Sequence, residues 1–155
     1  MNKKFFKKLF KMYIGFIIPT IFAYFLWVVS GKKVQWNEYV LAIPNISMVK
    51  IFINNTIICL LMIVSGKYFK VLSTIIFFYN SIIFSYYFLI SLTQYGSVFV
   101  FEKLIYYAPF EIFAIAYSMV ISQNIDNMDT KNVCLNIVVV EIFLFIASYL
   151  EMLVI

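Results

Sequence analysis

The stretch VLSTIIFFYNSIIFSYYFLISL, Val71 to Leu92, contains no charged side chain in 22 residues. As a helix it would be roughly 33 Å long, enough to cross a hydrocarbon core of about 30 Å. Lys70 stands immediately before it. Working outward, four more stretches are of similar length and mostly apolar: Met12 to Ser30, Ile46 to Ser65, Leu104 to Ser122 and Val133 to Ile155. Polar punctuation separates them: Gly31-Lys32-Lys33, Gly66-Lys67 and Glu102-Lys103. The reading is an all-α integral membrane protein, a bundle of about five transmembrane helices. Spans are expected at 12–30, 46–65, 71–92, 104–122 and 133–155, behind a basic arm over 1–11.

Composition agrees. Hydrophobic residues make up 65% of the 155 and charged residues 12%, against about 45–50% and about 25% in soluble domains. A small domain in water buries only about two-thirds of its unfolded surface and could not hide so much apolar area. Lipid is therefore the expected solvent, and the loops between spans are too short for a soluble domain. The 12 basic residues are all lysine, with Ile, Asn, Phe and Tyr abundant, a bias typical of AT-rich genomes that points to a low-GC bacterium and hence to its cell membrane, as a multi-pass protein.

Lysine distribution sets the expected orientation. With the N-terminus cytoplasmic, eight lysines lie inside (Lys3, Lys4, Lys7, Lys8, Lys11, Lys67, Lys70 and Lys131) and four outside (Lys32, Lys33, Lys50 and Lys103). The first span is read as a retained anchor, because its apolar run exceeds the 7–15 residues of a signal peptide and lacks a small-x-small cleavage site. In the arm, Phe5, Phe6, Leu9 and Phe10 share one helical face and the five lysines share the other. Such a segment suits the surface of an anionic lipid bilayer, with about 1 kcal/mol per lysine. With no arginine forks and no folded basic face, no nucleic-acid partner is expected.

Polar groups inside hydrocarbon are costly and mark sites of interest. Lys50 and Asn54 lie one turn apart in span two, followed by Asn55 and Thr56; span three holds Asn80, Ser81 and Ser85; span five holds Asn136, Glu141 and Glu151. Span four places Glu111 about seven residues in, roughly 10 Å from its start, two residues after Pro109, which is expected to kink the helix. Glu111 is expected inside the bundle, uncharged, hydrogen-bonded to Asn54, Asn55 or Asn80, with Lys50 as the nearest counter-ion. Glu141 and Glu151, about 15 Å apart along one helix, cannot pair with each other.

Catalysis has little to work with. The chain contains no histidine, which removes intramembrane Ser-His and Glu-His proteolysis and His-Glu-x-x-His zinc sites. Asp126 and Asp129 fall in a loop rather than in spans. Cys59 and Cys134 have no imidazole to activate them. An unassisted carboxylate, Glu111 or Glu141, is the one acid or base left, so an enzyme is not the expected reading, and no cofactor or metal is expected.

The order of these features resembles the stage II sporulation protein M family of small bacterial membrane proteins. Lys50-Ile51-Phe52-Ile53-Asn54-Asn55 is similar to the family's hydrophobic-Asn-Asn span start, and Gly66 and Phe78-Tyr79-Asn80 follow in order. Leu104 to Ala114 resembles its Pro-His-Gly-x-x-Glu-x-x-Ala segment, with Glu111 and Ala114 in register. Ile146-Ala147-Ser148-Tyr149-Leu150-Glu151 is similar to its terminal Ala-x-x-x-Glu. Tyr106 and Tyr107 replace the Pro and His, and Ala108 the Gly, so any role of that histidine is lost. Ser81 and Ser85 stand among positions where glycines are expected.

The resemblance implies two settings. One is a scaffold that holds cell-wall-remodelling proteins during sporulation engulfment. The other is a non-catalytic subunit for maturation, export or self-immunity of a circular bacteriocin, working with other membrane proteins and a cytoplasmic ATPase on a hydrophobic peptide. Short loops and a divergent sequence favour the second. A small transporter or channel subunit using Glu111 is the further alternative.

Overall fold

The computed structural model describes residues 3–31 and 47–154. It contains five long helices: α1 Lys3–Val29, α2 Met48–Tyr68, α3 Lys70–Tyr95, α4 Ser97–Asn124 and α5 Thr130–Val154. All five are long and apolar enough to cross a membrane, and no strand occurs among the described residues. A 3₁₀ turn at Ile125–Asn127 links α4 to α5. The expected boundaries at Ile46 and Ile155, and Lys32 and Lys33, lie outside the described residues.

Several boundaries shift by about three residues, Gly66-Lys67 falling inside α2 rather than after it, and two move further for physical reasons. The arm and first span form one helix, because nothing between Lys3 and Ile18 breaks it except the tolerated Gly15. Only half of the expected apolar stripe packs inward: Leu9 is buried and Phe5 meets Tyr117 edge to face, while Phe6 and Phe10 face outward. Span four starts seven residues before Leu104, at Ser97. Glu102-Lys103 is not loop punctuation but part of the helix, since Val100 is buried and Phe101 packs on Tyr24 and Phe88. The break before it falls at Gly96, whose φ of 80° lies in the left-handed region that suits glycine.

Side-chain contacts define the topology. Phe16 meets Phe77 while Thr20 bonds Ser85, so α1 and α3 run parallel. Phe5 meets Tyr117 while Tyr24 meets Phe101, so α4 runs against α1. Thr56 meets Glu141 while Phe52 meets Phe145, setting α5 against α2. The helices therefore alternate in direction. The α1 N-terminus, the α2–α3 junction and the α4–α5 link share one end, tied by Lys8 to Asn124 at 3.0 Å and by a Lys70–Asp126 ion pair.

Helix α4 is the axis and touches the other four. Its buried run from Ala114 to Ser122 includes Ala114, Ala116, Ser118 and Ser122, small residues that let neighbouring backbones approach. At Gly66 of α2 the approach is so close that a Cβ would lie 2.0 Å from Ser122 Oγ and 2.7 Å from Ser122 Cα. Hydroxyls add local links, Ser73 with Ser122 and Ser81 to the Phe16 carbonyl at 2.6 Å. The exterior is apolar instead: Ile18, Ile21, Phe22 and Phe25 of α1 are each more than half exposed. In water such a surface would aggregate, whereas hydrocarbon solvates it.

Candidate functional site

Asn55, Glu111 and Glu151 come from three helices and line one partly open cavity of about 460 Å³. One face of α4 builds much of its wall. Phe99, Lys103, Tyr107, Glu111 and Ile115 follow each other at four-residue spacing, about 6 Å per step. Helix α3 supplies the facing wall with Asn80, Phe84, Tyr87, Phe88 and Ser91. The cavity therefore reaches from the level of the Gly96 junction to the middle of the bundle. Because α4 begins at Ser97, Glu111 lies fourteen residues, about 21 Å, along a 28-residue helix, near its centre.

The deep end is organised by a hydrogen bond: Asn55 Nδ2 donates to Glu111 Oε1 at 3.0 Å. Asn55 is buried, so its amide is held where few other acceptors compete. Asn80 Nδ2 donates to the Ile76 carbonyl at 2.7 Å. Asn54 also lines the cavity. Asn55 and Asn80 thus each commit one amide N–H, while their carbonyl oxygens and the two carboxylates are left as acceptors. Near the junction, Lys103 Nζ sits 5.4 Å from the centre of the Phe99 ring.

Other expected residues lie elsewhere. Lys50 is exposed in the first turn of α2, does not line the cavity and makes no ion pair among the described residues. It is not the counter-ion of Glu111, whose partner is the neutral Asn55. Glu141 faces a separate contact, accepting from Thr56 Oγ1 at 2.7 Å, and its buried Oε1 has no hydrogen-bond partner among the described residues. Asn136 accepts from the Tyr117 hydroxyl. Pro109 sits inside α4 without ending it and deprives the Ile105 carbonyl of its usual donor. The arm lysines Lys3, Lys4, Lys7, Lys8 and Lys11 are exposed at the opposite end of the bundle.

Sequence reasoning missed Lys103, Tyr107, Tyr87 and Ser91 as cavity residues. The signal for two of them was available: Lys103, Tyr107 and Glu111 recur at i, i+4, which places them on one helical face. Reading Glu102-Lys103 as a loop concealed it. Among the described residues no group of three metal-ligating side chains forms, and Cys59 is wholly buried.

Fold and site together define a five-helix bundle of membrane-crossing dimensions with an acceptor-rich cavity reaching its centre. Compared with models of protein families, with curated proteins and with solved structures, the chain finds no match.

Proposed function

We propose that this chain is a multi-pass protein of a bacterial cell membrane, N-terminus cytoplasmic, acting as a non-catalytic subunit in the maturation, export or self-immunity of a circular bacteriocin. The observation that supports this reading is convergence. Asn54, Asn55, Asn80, Glu111 and Glu151 carry the resemblance to the stage II sporulation protein M family from four different helices, and all five line one cavity. With no nucleotide-binding loop in the sequence, energy must come from a partner. A cytoplasmic ATPase or anionic lipid would meet the bundle at the end where Lys8 and Lys70 lie, and other membrane proteins would pack on the apolar exterior.

Deleting the gene in its host and purifying the tagged protein in mild detergent tests the proposal. Loss of circular peptide output, or of resistance to it, together with co-purification of an ATPase subunit, is the expected result. A protein that purifies alone and monodisperse and acts on a peptide unaided would overturn it. The cavity's reach to Glu111 favours, as a second reading, a small transporter or channel subunit.

A further inference from the structure

We propose that the cavity lined by α2, α3 and α4 together with Glu151 of α5 is a binding site for a primary ammonium group carried on a small apolar body. Two features of its lining point to that chemistry independently. Its two carboxylates are under-bonded: Glu151 has no hydrogen-bond or ion-pair partner among the described residues, and Glu111 receives a single bond, from Asn55, while Asn80 commits one of its amide N–H groups to Ile76. A ligand that brings its own donors and a positive charge satisfies them, as an ammonium with three N–H groups does. The rest of the lining is aromatic and aliphatic, including Phe84, Phe88, Phe99 and Tyr87.

Size and precedent narrow the class. A volume of about 460 Å³ falls within the range of small-molecule sites, roughly 300–1,000 Å³, and is far larger than one bare ion requires. The chain already places an ammonium on this wall, since Lys103 Nζ stands over the Phe99 ring. Among the described lining residues Lys103 is the single basic side chain, against the two carboxylates of Glu111 and Glu151. The expected pose puts the ammonium between Glu111 and Glu151 and the apolar body against the α3 aromatics. This inference does not depend on the bacteriocin reading.

The full-length protein in lipid nanodiscs, titrated calorimetrically with phenethylammonium against empty nanodiscs, tests it. Saturable binding is expected for phenethylammonium and not for its neutral analogue 2-phenylethanol. Glu111→Gln and Glu151→Gln should each weaken binding by about tenfold or more, the effect of losing a charge-assisted bond. Glu111→Gln keeps an acceptor for Asn55, and Glu102→Gln, exposed and outside the cavity, should leave affinity unchanged. A second arm uses a hydrophobic peptide with one lysine and its Nε-acetylated twin; charge-dependent binding there would identify a peptide as the source of the ammonium. No saturable binding of either amine, equal binding of the alcohol, or unchanged affinity in both glutamine variants would overturn the proposal.

Discussion

Replacing Gly66 by alanine should loosen the bundle at its tightest crossing. The new Cβ would sit 2.0 Å from Ser122 Oγ, and 2.7 Å from both Cβ and Cα of the same residue. Rotating the serine hydroxyl relieves the first contact but not the contact with the backbone. Carbon–carbon contacts are comfortable at about 3.5–4.0 Å, so α2 and α4 must separate by about 1 Å. Overpacking of this kind costs about 1–3 kcal/mol. Disturbing the Ser73–Ser122 hydrogen bond adds about 0.6 kcal/mol. The better helix propensity of alanine returns about 1 kcal/mol. With backbone in the way the upper end applies, and the net loss should be roughly 2–3 kcal/mol. Denaturation followed by far-ultraviolet circular dichroism in mild detergent measures it. Gly15→Ala is the control, because a Cβ there meets nothing within 4 Å; it should be neutral or stabilising by up to about 1 kcal/mol. Adding Ser122→Gly to Gly66→Ala should recover part of the loss, leaving only the contact with Cα. If Gly66→Ala proves as stable as Gly15→Ala, or if the two changes at positions 66 and 122 simply add, the close crossing is not what holds these helices.

Asn55→Leu leaves Glu111 without its donor and should cost about 1–3 kcal/mol, whereas Glu111→Gln should stay within about 1 kcal/mol of the parent; equal stabilities would refute the pairing. Thr56→Val and Glu141→Leu should show a coupling of about 0.5 kcal/mol or more in a double-mutant cycle, and strict additivity would deny the contact. In a background with Cys59 and exposed Cys134 changed to serine, a cysteine at Gln94 should react with an impermeant maleimide in intact cells and one at Asn127 only after permeabilisation; the reverse pattern would invert the orientation. Changing the five arm lysines to glutamine removes attraction of about 1 kcal/mol each to anionic lipid and should raise Asn127 labelling in intact cells, and no change would assign orientation to other residues.

Five helices, their approximate centres and the basic end were legible because they rest on local quantities. Val71 to Leu92 needs no partner to be recognised as an apolar helix of membrane-crossing length, and lysine counts need only the order of the chain. Helix ends were less legible. Whether Ser97 to Lys103 extends α4 depends on Val100 and Phe101 finding α1 and α3, a matter of packing between segments distant in sequence. The site shows the same division. Sequence alone marked Asn54, Asn55, Asn80, Glu111 and Glu151, since a polar side chain in an apolar run is conspicuous and costly. It could not choose the partner of Glu111 among three asparagines, reject Lys50, or separate Glu141 from the cavity. Those outcomes follow from the azimuth at which each helix meets its neighbours. Small residues such as Gly66 and Ser122 set that azimuth, and a rotation of one residue, 100° about a helix, would exchange Asn54 for Asn55.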